Sequence, residues 1–178
     1  VRVHLGTAEI MGRVSLLDRD ELQPGEEAYI QLLLEEPVAV WSGDHYVIRS
    51  YSPVATIGGG EVLGNQSPVK RKRVTDKDRE SNVRALSTLE QGTIEDRILL
   101  LLSESGMKGL AFDDLAIRLG IFGKHLTKVL SDPLSSKKVV LVDSASQRYL
   151  PGEMVGDIID LISSSLESYH TANPLKNG

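Results

Sequence analysis

Thr56-Ile57-Gly58-Gly59-Gly60-Glu61-Val62 is the stretch on which the reading of this chain turns. It follows Gly43-Asp44-His45-Tyr46-Val47-Ile48-Arg49 after a short turn. Three consecutive glycines in a β-branched run are costly unless the backbone must bend or be approached closely. A phosphate-cradling G-x-G-x-x-G turn would need a helix directly after it, and Glu61-Val62-Leu63 continues as strand. The run therefore reads as a bulged strand closing a barrel, and such bulges also often sit at binding surfaces.

Outward from that strand, residues 1–64 keep a two-residue period. Val1, Val3 and Leu5 alternate with the polar Arg2 and His4, and in the apolar run Tyr29–Leu34 a two-residue period is read in Tyr29, Gln31 and Leu33. Turn signals recur at Asp18–Glu21, Pro24-Gly25, Ser42–Asp44 and Ser52-Pro53. Short strands at this spacing predict an antiparallel barrel or sandwich. Pro37 belongs at a strand edge or bulge, because it cannot donate to a ladder. Residues 65–75 carry no periodicity: Asn65-Gln66-Ser67-Pro68 is followed by the basic block Lys70-Arg71-Lys72-Arg73.

From residue 76 the period changes to that of helices. Asp76 is placed to N-cap a helix running to about Glu90, closed by Gly92. Thr93 caps the next, with Asp96 as its capping-box acid ahead of Ile98-Leu99-Leu100-Leu101-Leu102. Phe112–Leu119, the C-cap Gly120 and a helix from Phe122 to Ser131 then form a helix-turn-helix. Lys138–Asp143 and Gln147–Leu150 pair as a wing, and a last helix runs from Glu153 to about Tyr169. Three helices and a two-stranded wing are the order of a winged helix. The fold class is multidomain: an antiparallel β-barrel over 1–64, a basic linker over 65–75 and a winged-helix domain over 76–178.

Composition narrows the chemistry. The chain has 178 residues, begins with Val and contains no cysteine, which excludes disulfides, thiolate metal sites and cysteine nucleophiles. Four scattered His residues lack zinc-ligand spacing. Only 4% of residues are aromatic, so the cores must rest on Leu, Val and Ile. No apolar run approaches the roughly 20 residues of a membrane span, so no membrane partner and a cytoplasmic location are expected. The acids Asp113-Asp114, Glu35-Glu36 and Glu26-Glu27 are sequence neighbours, which diverge on either a strand or a helix and make poor acid–base pairs. No catalytic constellation, metal site or cofactor site emerges, and the chain itself is not expected to be an enzyme.

A net charge of −5 argues against nucleic-acid binding over the whole surface. Lys70, Arg71, Lys72 and Arg73 nevertheless form a strip able to track a phosphate backbone, the alternative being a solvated linker. On the winged helix the exposed candidates are Lys124, His125, Thr127 and Lys128, with Arg148 on the wing. That footprint is sparse beside Asp113, Asp114 and Asp132, which favours a spacer over a nucleic-acid reader.

The order of these motifs resembles translational elongation factors, whose third domain shares the Pro24-Gly25 turn, the Gly43-Asp44 turn before an Ile48-Arg49 strand, and the Thr56-x-Gly58-x-Gly60 strand. His4-x-Gly6-Thr7-Ala8 and Ser15-Leu16-Leu17 are most similar to the selenocysteine-specific elongation factors. In that family the third barrel precedes winged-helix repeats, and Tyr169-His170-x-x-x-Pro174-Leu175 resembles the bridge to the next repeat. The resemblance implies a non-catalytic fragment of a GTPase that delivers selenocysteyl-tRNA to the ribosome at recoded UGA codons. GTP and magnesium would belong to a domain absent from this fragment, and the selenoprotein mRNA hairpin would be read by absent C-terminal modules. It also implies that Arg49, Thr56, Gly58 and Gly59 lie near the surface that touches the tRNA backbone, with Arg49 either a phosphate ligand or paired with Asp44 or a glutamate. A monomeric fragment is expected. A DNA-binding winged-helix regulator with a β sensor domain, or a protein–protein adaptor, are the alternative functions.

The change of period across 65–75 predicts two cores with few contacts between them. Limited proteolysis of the native chain should cut first near Lys70–Arg73. First cleavage inside 1–64 or 95–150 would place the boundary elsewhere.

Overall fold

The computed structural model describes residues 1–65 and 75–172. Five strands form the first part: β1 (Arg2–Leu5), β2 (Ala8–Leu16), β3 (Ile30–Leu34), β4 (His45–Arg49) and β5 (Thr56–Glu61). They make one curled sheet, a half-barrel, in the order β3-β2-β1-β4-β5, with every neighbouring pair antiparallel. β1 and β2 join through Gly6-Thr7, where Gly6 takes a positive φ of 57°, as the first position of a tight hairpin turn requires. Alternation turns Val3, Leu5, Ile10 and Ile48 inward, where all are buried, and leaves Arg2, His4 and Arg49 on the other face.

The glycine run has two physical causes. The β4–β5 register pairs Ile48 with Gly58 and Arg49 with Thr56, so Ile57 is the extra residue of a bulge. Across the ladder, a Cβ on Gly59 would lie 2.6 Å from the Tyr46 carbonyl oxygen. One on Gly60 would lie 2.7 Å from the Tyr46 hydroxyl and 3.1 Å from its ring. The Tyr46 side chain thus takes the space a residue at 60 would fill, and burial pushes its phenol pKa up. Gly58 is different, with nothing within 4 Å of a Cβ placed there.

The second part is α1 (Asp76–Gln91), α2 (Ile94–Ser105), a 3₁₀ turn at Gly106–Lys108, β6 (Leu110–Ala111), α3 (Phe112–Leu119), α4 (Gly123–Ser135), β7 (Val139–Asp143), β8 (Arg148–Pro151) and α5 (Gly152–Ala172). α2 through β8 form a winged helix. Ile98, Leu102, Leu115, Leu126, Leu130 and Val139 fill its core, each at most 1% exposed. Gly120 ends α3 in the left-handed conformation, φ 67°, which glycine adopts freely.

Three local expectations are corrected. The cap of α1 is Thr75 rather than Asp76, because its hydroxyl accepts from the Asp78 N–H while the Asp78 carboxylate accepts from the Thr75 N–H. α4 runs past Ser131 to Ser135, since Pro133 falls near the helix end, where one lost backbone bond is offset by its burial. The wing sheet has a third strand, β6, in the order β6-β8-β7, and two residues are too short to show a period.

These contacts separate the three glycines experimentally. Gly59→Ala must push against a backbone oxygen and should destabilise the chain by about 1–3 kcal/mol, the usual cost of overpacking. Gly58→Ala meets nothing and should be neutral or stabilising by up to about 1 kcal/mol, from the lower backbone entropy cost. Urea denaturation of both variants checks the order. Equal losses at the two positions would contradict the close approach of Tyr46.

Candidate nucleic-acid interface

Residues 1–65 contain four arginines (Arg2, Arg13, Arg19, Arg49), no lysine and ten acids. Arg19 is committed to Asp18 at 3.3 Å and Glu26 at 3.6 Å. The other three share one face of the sheet. Directly opposed residues of an antiparallel pair point to the same side. Arg2 opposes Met11 on β2 and Arg49 on β4, and Arg49 opposes Thr56 on β5. Arg13 lies two residues beyond Met11 on β2, so it adds to the same face.

Like charges directly opposed across strands cost a few tenths of a kcal/mol to about 1 kcal/mol. Arg2 is compensated by Glu9 at 2.7 Å and by the Tyr51 ring, 5.5 Å from its guanidinium carbon. Arg49 has no ion pair among the described residues, and its Nε is buried without a hydrogen-bond partner. The Asp44 carboxylate, one candidate counter-charge, instead accepts from the Trp41 N–H at 2.8 Å and stabilises its own turn. A half-buried guanidinium facing another cation with no counter-ion is suited to an external anion. The β4–β5 loop adds exposed Tyr51 and Val54 beside it, and the bulged Ile57 is 60% exposed.

Of the residues that the sequence singles out, Arg49 and Thr56 are neighbours across β4–β5. Gly58 is open, and Gly59 has a packing cause of its own. Lys70, Arg71, Lys72 and Arg73 lie outside the described residues. The sequence alone does not mark Arg2 and Arg13. Their signal is parity with Arg49, which emerges only once β1 is paired with β4.

The winged helix offers less to an anion. Lys124, His125, Thr127 and Lys128 are exposed on α4. Arg148 is not a free wing cation, because its Nη1 donates to the Lys108 carbonyl at 2.8 Å and ties the wing to the turn before β6. At the wing tip the Ser146 hydroxyl and the Ala145 N–H donate to Asp143, holding its carboxyl below the usual range and therefore charged. His4 stands 3.6 Å from Glu9 on the sheet face. Among the described residues no group of His, Asp or Glu could hold a metal ion, and no helix is long and apolar enough to cross a membrane.

Residues 1–69 match the family described as selenocysteine-specific elongation factor, β-barrel domain. The selenocysteine-specific elongation factor of Desulfomicrobium baculatum is 31% identical over 179 residues, covering 100% of this chain and 27% of that protein. Over its whole length the chain matches a segment of a selenocysteine-specific elongation factor. It spans little more than a quarter of that relative's length. A crystal structure of bacterial selenocysteine-specific elongation factor EF-Sec is similar with a TM-score of 0.64 at 20% identity, over 97% of this chain and 24% of that one. That likeness is one of fold, and it runs through both the sheet and the winged helix.

Proposed function

We propose that this chain is the part of a selenocysteine-specific elongation factor that holds the backbone of selenocysteyl-tRNA and begins the arm toward the message. The observation that carries the reading is the uncompensated Arg49 within the row Arg13, Arg2 and Arg49. A phosphate between Arg2 and Arg49 would relieve their repulsion, and each guanidinium can give it two parallel N–H donors. Thr56 would offer a hydroxyl at the end of the row, and the open backbone at Gly58 would admit the sugar-phosphate chain. Tyr51 is placed to lie against a ribose or an unstacked base. Such contacts position a nucleic acid without reading its sequence.

In this reading the units are the barrel over 1–64, the basic linker over 65–75 and the winged-helix domain over 76–178. Lys70, Arg71, Lys72 and Arg73 extend the phosphate track, and the winged helix acts as a spacer. The whole protein would use GTP and magnesium in a separate nucleotide-binding domain, work on the ribosome in the cytoplasm, and meet the selenoprotein mRNA hairpin through modules beyond the winged helix. The fragment itself would be monomeric and would bind and position rather than catalyse.

Binding of tRNA by the fragment alone should be weak, near the roughly 10⁻⁴–10⁻⁶ M of non-specific nucleic-acid complexes, and should fall steeply with salt. A salt titration of tRNA binding tests the division of labour. Arg2→Ala with Arg49→Ala should lower the slope of log K against log salt by about 1.4–1.8, at about 0.7–0.9 for each phosphate no longer neutralised. Neutralising Lys70, Arg71, Lys72 and Arg73 together should lower it by up to about four ion equivalents. Replacing Lys124 and Lys128 should leave it unchanged. Loss of affinity confined to the Lys124/Lys128 variant would assign RNA binding to the winged helix.

A further inference from the structure

The start of α4 is the part of a helix-turn-helix that normally faces base edges in a DNA groove. In this chain it meets the turn between β3 and β4. Phe122 is the N-cap residue of α4, and its ring meets Trp41 edge-on, with centroids 5.3 Å apart and planes at 86°. Beside it the Asn65 side-chain amide donates to the Ile117 carbonyl, in the last turn of α3, at 2.9 Å. Both halves of the helix-turn-helix are therefore touched from the barrel side.

The surface presenting Trp41 is built. The Asp44 carboxylate accepts from the Trp41 N–H at 2.8 Å, and the Asp44 N–H donates to the Trp41 carbonyl at 3.2 Å. The same turn is pinned to the strand after β5 by Gly43 N–H to Val62 O and Val62 N–H to Asp44 O, both 2.8 Å. A second cluster ties α1 to the segment between β2 and β3. Tyr29 donates to Glu90 at 2.6 Å, and one Arg79 nitrogen reaches both oxygens of Asp20 at 2.9 Å. Two clusters on separate helices resist rotation in a way that one contact cannot.

We infer that the turn end of the helix-turn-helix is an intramolecular docking surface for the Trp41 turn. The contact fixes the winged helix at one angle to the sheet and covers one side of Phe122, leaving Lys124 and His125 exposed. This goes beyond the tRNA reading and does not depend on what the arginine row binds. An arm of fixed angle carries whatever lies at its far end to a set place, which a freely jointed arm does not.

The chain supplies its own probe, since Trp41 is its single tryptophan and stands in the opposite unit from Phe122. Phe122→Ala, with Phe122 half exposed, should leave far-UV circular dichroism intact. It should shift Trp41 emission to longer wavelength and raise its acrylamide quenching constant. Asn65→Ala should do the same more weakly, and Leu141→Ala, at an exposed wing position, should do nothing. The absence of cysteine also allows a spin-label pair at Ser52→Cys and Ser144→Cys. One narrow distance in the parent chain that broadens in Phe122→Ala would support the docking. A broad distribution in the parent, or Trp41 emission unmoved by Phe122→Ala, would overturn it.

Discussion

The pairing of β1 with β4 is the constraint on which the first sixty-odd residues depend. β1 is four residues long and lies between two neighbours, so its register sets both faces of the sheet at once. One consequence is the core, because Val3 lands on Ile48 and Leu5 on Tyr46. The other is the outer face, because Arg2 lands on Arg49. A slip of β1 by one residue would bury Arg2 and His4 and expose Val3 and Leu5. Burial of the apolar side therefore compels two cations into opposition on the other side. Glu9 and Tyr51 answer only one of them. The uncompensated charge left at Arg49 is what turns an ordinary sheet face into a candidate phosphate site.

Much of this fold was legible in the chain. The glycine run could be separated from a nucleotide loop because strand followed it, and the bulge expected there is present at Ile57. The bounds of α3 and the Thr93–Asp96 capping box follow from local chemistry, in which partners lie three or four residues apart. What stayed hidden was non-local. That Tyr46 fills the space beside Gly60 requires knowing which strands pair and in which register. Arg2 and Arg13 look ordinary until β1, β2 and β4 are laid side by side. The candidate site was thus half legible: Arg49 and Thr56 stand together, while the residues that give Arg49 its meaning are distant in sequence.

The helical part shows the same division in its electrostatics. Arg148 looks like a wing cation from sequence, yet its donors serve the carbonyl of Lys108. Asp143 adds a negative charge at the wing tip, where hydrogen bonds from Ser146 and Ala145 hold its carboxyl below its ordinary range. Both facts lower the attraction of the wing for phosphate. With Phe122 at the start of α4 facing Trp41, the arginine row on the sheet is a candidate phosphate surface separate from the exposed Lys124 and Lys128 of α4. A winged helix can therefore serve as an arm here while keeping the fold that elsewhere reads DNA.

Arginine side-chain NMR, following Nε–Hε signals during a tRNA titration at low salt, tests the central claim most directly. If the sheet face holds the phosphates, the signals of Arg2, Arg13 and Arg49 shift or broaden together, while that of Arg148 stays in place. A shift at Arg148 with an unmoved Arg49 would contradict the account.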